Sequence, residues 1–342
     1  MSTESHITHH APRLHVIAEA GTNHGGSRAT AESLVHVAKQ AGADSVKFQL
    51  IYPEGLYLPQ FLVEGGYVPN EVFEKRRAAM LSDDDWRAIA DHCRKQSLPF
   101  SASVFDRRGL DLLCELDAPY LKIASCDLNN TPLLKDAATR GRRLIVSTGM
   151  ATLPEIERAV LHLQSVGPVE LVLMHCVSVY PCPTERMNLS FLDTLRAEFG
   201  LPVGLSDHTE TSLAAAVAVG KGATWIEKHF TLDRAAVGFD HAYALEPEML
   251  TRFVADVRAC DAACRPQPQK IQSAEAGVKQ RARRALYAAR DIAPGETLTE
   301  ADFLIVRPEG PLAPPDAEKV LGRKTARGFR RFEPLNWEGL VA

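Results

Sequence analysis

The sequence predicts an α/β fold, a (β/α)8 barrel followed by a small β-rich module, on three observations. Eight short apolar β runs recur along the chain with amphipathic helical patterns between them, within about 265 residues, close to the ~250 that such a barrel needs. The first strand-to-helix turn, from Ala20 to Gly26, lacks the G-x-G-x-x-G spacing of a doubly wound dinucleotide-binding sheet. Beyond Cys264 the βα rhythm stops and a Pro- and Gln-rich stretch follows, which reads as a linker.

Taken in order, the β runs cover residues 15–19, 45–49, 99–103, 120–124, 143–147, 169–175, 202–205 and 224–229. Helical periodicity is clear over 29–40, 83–95, 153–164, 212–219 and 246–263. Residues 50–81 break the alternation. They are rich in Pro, Gly and aromatics, follow the second strand at its C-terminal end, and are therefore expected to cover the mouth of the barrel. The expected organisation is a disordered tail over 1–13, a barrel over 14–264, a linker over 265–282 and the β-rich module over 283–342, which is marginal as an independent unit.

Composition excludes several classes of function. The chain has 342 residues, 45% hydrophobic and 24% charged, with a formal net charge of −4. That balance describes a globular protein with a sizeable core and argues against nucleic acid as a partner. No apolar run approaches the ~20 residues of a membrane span, so no membrane partner is expected. The first residues are polar and His-rich, without the apolar stretch of a signal peptide, which points to the cytoplasm. Seven cysteines at these spacings form no zinc motif and read as reduced, mostly buried thiols.

Polar residues fall where a barrel keeps its chemistry, at the C-terminal ends of the strands. The first strand ends at Glu19, and the second gives Lys47 and Gln49, two apart and on one face. Ser101 and Ser103 follow, then Lys122, Ser125 and Asp127, then Ser147, then Ser178 and Tyr180. The last two strands supply Ser206, Asp207 and His208, and Glu227 and His229. One or two such residues are ordinary rim hydrogen-bonders, but two lysines inside apolar strands are not, because buried Lys is rare unless paired. Lysines and serines converging on one mouth suit an anion, with phosphate fitting best. Lys47 alone is also readable as half of a buried ion pair with Glu19, and Ser147 as a helix cap. His208 and His229 end neighbouring strands and together suit a divalent metal, completed by Glu19 or Asp240 and water. His175 reads as packing, His24 and His241 as rim residues, and His6, His9 and His10 as part of the tail.

The motifs resemble those of the sialic acid synthase family. They are Ile-Ala-Glu-Ala-Gly-Thr-Asn-His-Gly-Gly at 17–26, Ala-Gly-Ala-Asp-Ser-Val-Lys-Phe-Gln at 41–49, Lys-Ile-Ala-Ser at 122–125, Asn-Asn-Thr-Pro-Leu-Leu at 129–134 and Ser-Thr-Gly-Met at 147–150. Gly-Leu-Ser-Asp-His-Thr at 204–209 and Glu-Lys-His-Phe-Thr at 227–231 continue the match. The tail adds the stretch 284–296 and Val-Arg-Pro at 306–308, similar to the family's antifreeze-like SAF domain. The resemblance implies condensation of phosphoenolpyruvate with an open-chain amino-sugar aldehyde to a nine-carbon 2-keto acid. It implies that Lys47, Lys122, Ser125, Ser147, Ser178 and Ser206 hold phosphoenolpyruvate, and that His208 and His229 bind Mn2+, with Mg2+ or Co2+ as alternatives. Gln49, Asn70, Tyr180 and Asp240, with Glu19, would shape the acceptor end. Arg307 would reach the partner's sugar site in a domain-swapped homodimer. For proton transfer near C2, Asp127 is the expected carboxylate and Glu19 its competitor.

Where the family usually has Glu, this chain has Asp127; where it has Asn, this chain has Ser178. Gly-Phe-Asp240 and Ala-Leu245 replace the family's Gly-Pro-Asp and Ser-Leu. Three alternatives stand beside the main reading: a 3-deoxy-manno-octulosonate 8-phosphate synthase, which lacks such a tail; a non-catalytic sugar-binding descendant; and the same condensation with a different aldehyde.

Overall fold

The computed structural model describes residues 13–266 and 273–341. Apart from Arg13, the expected tail with its three histidines lies outside the described residues, as do 267–272 of the expected linker. The chain divides into two compact units at Arg265/Pro266.

The first unit opens with β1 (His15–Gly21), α1 (Arg28–Gln40) and β2 (Ser45–Leu50). Between β2 and the next barrel strand lie α2 (Pro53–Leu56), a hairpin of β3 (Gln60–Val63) and β4 (Gly66–Pro69), α3 (Glu71–Ala78) and α4 (Asp83–Lys95). There follow β5 (Phe100–Val104), α5 (Arg107–Glu115), β6 (Tyr120–Ile123), α6 (Thr131–Ala138), β7 (Arg143–Ser147) and α7 (Leu153–Gln164). The unit ends with β8 (Leu171–Cys176), α8 (Phe191–Phe199), β9 (Val203–Asp207), α9 (Leu213–Gly220), β10 (Trp225–His229) and α10 (Pro247–Cys264). The barrel strands pair in the order β1-β10-β9-β8-β7-β6-β5-β2 and close on themselves. Every pairing is parallel, as right-handed βα crossovers demand.

Local chemistry fixes where the helices begin. Ser82 and Asp85 form a reciprocal capping box at the start of α4, and Thr152 and Glu155 form one at α7. Each helix then buries one stripe at i, i+3, i+4, i+7, namely Trp86, Ile89, Ala90 and Cys93 in α4. In α7 the stripe is Ile156, Ala159, Val160 and Leu163.

Strand alternation splits the core in two. Outward residues such as Val46, Phe48, Leu121, Val146 and Ile226 pack with the helices in one continuous cluster. Inward residues Ile17, Tyr120, Ile145, Val172, Met174 and Trp225 form a separate plug inside the barrel. Beneath the plug, Tyr120 Oη lies 2.8 Å from Ser45 Oγ, which lies 2.9 Å from His15 Nε2, and the His15 ring stacks on Trp225 at 4.0 Å. The plug closes the lower barrel, so polar inward side chains above it open only at the C-terminal face.

The segment expected to cover the mouth has more internal structure than periodicity suggests. The hairpin β3–β4 is exposed on both faces, so it carries no buried stripe for a sequence pattern to reveal. In the second unit, β11 (Ala285–Ala288) and β12 (Phe303–Val306) pair antiparallel, with α12 (Ala317–Val320) following. Its own core includes Leu286, Ile292, Leu298, Leu312, Phe329 and Leu335. Within the stretch read as linker, α11 (Ala276–Ala282) is helical, because Ala, Val, Lys, Gln and Arg outweigh the prolines that end by residue 268. Among the described residues, no helix is long and apolar enough to cross a membrane.

Burial pushes His15 down to about 4, against the pull of Asp44. A base lowered in the folded state adds stability that is complete above pH 6.5 and lost as the pH falls towards 4. Replacing His15 with Gln is expected to reduce that acid slope by up to about 1.4 kcal/mol per pH unit. The check is urea unfolding at several pH values between 4 and 7; a slope equal to wild type overturns it. The decline will not vanish, since burial also lowers His24 and His229 to about 4.

Candidate active site

Register brings the inward polar residues to one level. Glu19 pairs with Lys47 on one side and with His229 on the other. Gln49 pairs with Ser103, Ser103 with Lys122, and Glu227 with Ser206. The result is a layer of charge directly above the apolar plug.

Four of these charges form one network. Lys122 Nζ lies 2.9 and 3.0 Å from the two carboxylate oxygens of Glu227. Lys47 Nζ sits 2.6 Å from Glu19 Oε2 and 3.6 Å from Glu227 Oε2, and donates to Ser103 Oγ at 2.9 Å. Ser206 Oγ donates to Glu227 Oε1 at 3.0 Å. Lys47, Lys122, Glu19 and Glu227 are each no more than 3% exposed. Lys47 thus pairs with Glu19, as one of its two sequence readings has it, and lines the cleft at the mouth.

Burial and pairing pull these groups apart. Burial alone would raise Glu227, yet Lys122 and Lys47 outweigh it and hold the carboxyl far below the usual range. Glu19 meets less compensation: burial pushes it up to about 7, with Lys47 opposing and Glu227 reinforcing. Burial lowers Lys122 in spite of Glu227, whereas Glu19 and Glu227 overcome burial at Lys47 and raise it.

A cleft of about 320 Å3 opens above the network, lined by Glu19, Lys47, Gln49, Lys122, Ser125, Ser147, Ser178, Tyr180, Ser206, His208, Glu227 and His229 among others. A second cavity, of about 440 Å3, lies at the opposite end of the barrel, lined by paired ions such as Arg143–Glu170 and by Trp225. It holds none of the strand-end residues, and barrel enzymes work at the C-terminal face. In the upper cleft, Ser125 Oγ accepts from Gly149 N at 3.0 Å. A Cβ on Gly149 would lie 2.5 Å from Ser178 Oγ, 2.9 Å from Ser125 Oγ and 3.0 Å from Cys176 Sγ. Only glycine lets two hydroxyls and a backbone amide gather there.

His208 and His229 face each other with ring centroids 5.5 Å apart. His208 Nδ1 donates to the Val177 carbonyl at 2.9 Å, which leaves the lone pair on Nε2, the usual arrangement of a metal-ligating imidazole. Among the described residues, His229 Nδ1 is buried without a hydrogen-bond partner. Burial keeps His229 neutral, while the Cys176 sulfur and the Val177 carbonyl outweigh burial at His208 and raise it. Among the described residues no group of three or more His, Cys, Asp or Glu is assembled for a metal. What the site offers a cation is two imidazole nitrogens, the Nε2 of His208 and the unpartnered Nδ1 of His229.

Four expected site residues lie apart from this lining. Asp127 is not on the cleft wall; its Oδ1 accepts from Asn130 Nδ2 at 3.0 Å at the start of α6. Asn70 uses its amide within its own segment, accepting from Val72 N and Phe73 N and donating to Leu58 O at 2.8 Å. It is the N-cap of α3. Asp240 stands beside the cleft, its Oδ2 2.9 Å from where a Cβ on Gly21 would fall, close to Gln49 Nε2 and Glu19 Oε1. Arg307 belongs to the second unit, exposed just after β12. His175 is buried as expected, 2.6 Å from the Met187 carbonyl, and His241, read as a rim residue, is instead buried on Thr231 Oγ1.

Glu227 is visible in the sequence as a strand-end carboxylate, but nothing in the sequence reading gives it a role. Its position two residues before His229 on one strand face is the available signal. Ser103, Phe105 and Cys176 also line the cleft. If the cleft takes the phosphoenolpyruvate that the sequence resemblance implies, replacing Gly149 with Ala is expected to weaken its binding about tenfold or more, by displacing Ser125 and Ser178. Calorimetric titration checks this, and affinity equal to wild type overturns it.

Comparison with known proteins shows the family of the chain. Residues 34–267 match the model of the NeuB family, and residues 283–341 match the SAF domain. An N,N'-diacetyllegionaminic acid synthase of Legionella pneumophila is 33% identical over 340 residues, covering 96% of this chain and 94% of that protein. A pseudaminic acid synthase of Campylobacter jejuni is 31% identical, covering 94% and 95%. The crystal structure of an N-acetylneuraminic acid synthetase from Leptospira borgpetersenii, in complex with citrate, superposes with a TM-score of 0.69 at 32% identity, covering 78% of this chain and 90% of that one. With the barrel, the buried lysines and the SAF module in place, the chain belongs to the NeuB family of phosphoenolpyruvate-condensing nonulosonic acid synthases.

Proposed function

We propose that this synthase joins phosphoenolpyruvate to the open-chain aldehyde of an N-acetylated hexosamine, N-acetylmannosamine or a diacetamido relative, releasing phosphate by C–O cleavage. The observation that carries the reading is the pair of buried lysines, Lys47 and Lys122, facing a serine-lined cleft. Lys47, Lys122, Ser125, Ser147, Ser178 and Ser206 bind the phosphate and carboxylate. Their charge-assisted contacts, in a site shielded from water, stabilise the phosphate as it departs.

The enol C3 attacks the aldehyde carbon, and the resulting cationic C2 takes up water before the tetrahedral adduct expels phosphate. Glu19 lines the cleft and Asp127 does not, so Glu19 is the better-placed carboxylate for proton transfer at C2. Gln49, Tyr180 and Asp240 orient the acceptor. Synthases of this family generally use a divalent metal. Bound by His208 and His229, a cation such as Mn2+ would supply Lewis-acid polarisation of the aldehyde oxygen. Arg307, exposed at the end of β12, is assigned to the acceptor site of a partner subunit in a swapped homodimer working in the cytoplasm.

Phosphate release from phosphoenolpyruvate, followed with Mn2+ or chelator across a panel of aldehyde sugars, tests the reaction. Metal-dependent release with one sugar is expected; absence of both release and phosphoenolpyruvate binding overturns the reading in favour of a non-catalytic descendant. Lys122→Ala is expected to lower kcat/KM by about a thousandfold or more, since it removes a charged group facing the reacting phosphate. His208→Ala and His229→Ala are each expected to abolish stimulation by Mn2+; variants stimulated as strongly as wild type place the metal elsewhere.

A further inference from the structure

We propose that Tyr243 is a positioning residue for the acceptor sugar, acting through Asp240. The inference rests on the reading that Asp240 meets the acceptor, and adds a residue that no motif above includes.

A short 3-10 turn, His241–Tyr243, follows Asp240 directly. In such a turn residues three apart lie one over the other, so Tyr243 is stacked on Asp240. The Tyr243 hydroxyl donates to Asp240 Oδ1 at 2.7 Å. The other oxygen, Oδ2, is buried and has no hydrogen-bond partner among the described residues, in a residue only 9% exposed. It points towards Gly21, with Gln49 Nε2 and Glu19 Oε1 nearby. A buried carboxylate oxygen left unpaired costs free energy unless something completes it. A sugar hydroxyl is the donor that fits a site already lined by Gln49 and Tyr180.

The ring of Tyr243 does a second job. It packs against His229 at 5.3 Å and against Tyr180 at 5.0 Å, with Tyr180 in turn 4.2 Å from His208. The backbone before it is also anchored: Arg76 lies 3.7 Å over the ring of Phe239 and donates to Thr22 Oγ1 at 2.7 Å. Asp240 is thus fixed from both sides, and the hydrogen bond from Tyr243 alone decides which oxygen is offered to a ligand. Without that hydrogen bond the carboxylate is free to rotate, and the sugar hydroxyl no longer finds a preorganised acceptor.

Tyr243→Phe keeps the ring and removes the hydroxyl. The experiment measures phosphate release with N-acetylmannosamine and with 2,4-diacetamido-2,4,6-trideoxymannose as acceptors, for wild type, Tyr243→Phe, Asp240→Asn and the double variant. Tyr243→Phe is expected to raise the KM of the better acceptor about tenfold, with the KM for phosphoenolpyruvate and the melting temperature unchanged. Asp240→Asn should raise the same KM, and the double variant should be no worse than Asp240→Asn alone. An acceptor KM unchanged in Tyr243→Phe but raised in Asp240→Asn overturns the role of Tyr243 and leaves that of Asp240. An equal rise for both substrates shows a merely structural effect and also overturns it. If Asp240→Asn leaves the acceptor KM alone, or wild type uses neither sugar, the reading of the acceptor end fails and the inference with it.

Discussion

Everything at the mouth of this barrel depends on the buried ion network of Lys47, Lys122, Glu19 and Glu227. Four charges in a space closed below by Tyr120, Ile145 and Met174 are costly to desolvate, and only close pairing offsets the cost. Glu227 is the hub, because it accepts from Lys122 with both oxygens, from Ser206 with one, and approaches Lys47 with the other. When all four are ionised the charges cancel. The network therefore presents two ammonium groups to a cleft without stacking uncompensated positive charge inside the protein. Replacing a buried ion network by apolar residues of equal volume is often neutral or stabilising, so stability alone does not account for this one.

Period-two alternation and parallel register create this arrangement together. Alternation sends Glu19, Lys47, Lys122 and Glu227 inward, while Ala18, Val46, Leu121 and Ile226 face the helices. Register then sets Glu19 level with Lys47 and His229, far apart in sequence but neighbours across the barrel wall. Outside the wall a second buried pair, Lys228 and Asp207 at 2.9 Å, braces the turn after His208, with Lys228 also donating to the Thr209 carbonyl. The same strands thus carry a functional network inside and a structural one outside.

How much of this the sequence discloses depends on whether a residue's role is local or collective. Barrel strands and the helices α4 and α7 are legible because periodicity, Ser82 with Asp85 and Thr152 with Glu155 are local signals. The lysines are legible because Lys inside an apolar strand is itself anomalous. Glu227 is harder: a strand-end carboxylate has many uses, and its role appears only when closure brings β6 and β2 near β10. Asn70 and Asp127 are expected in the site from their place in the sequence, and only the structure adds that their side chains hold local contacts, to Val72, Phe73 and Leu58 for the one and to Asn130 for the other. The hairpin β3–β4 escapes because it buries neither face.

The two halves of the cleft differ in how they are held, and this bears on specificity. Most of the side chains expected to hold phosphoenolpyruvate, namely Lys47, Lys122, Ser147 and Ser206, stand on barrel strands, whose positions are set by hydrogen bonding across the whole sheet, while Ser125 and Ser178 follow β6 and β8. Of the side chains expected at the acceptor end, Gln49 stands on β2, whereas Tyr180 follows β8 and Asp240, with Phe239 and Tyr243 beside it, follows β10. Loops vary at little cost to a barrel, while strand residues inside a charge network do not. Relatives named for legionaminic and pseudaminic acids are 33% and 31% identical to this chain, so overall identity barely separates them. The proposed reading of the acceptor end therefore turns on the loop residues, where this chain carries Phe239 and Tyr243 around Asp240.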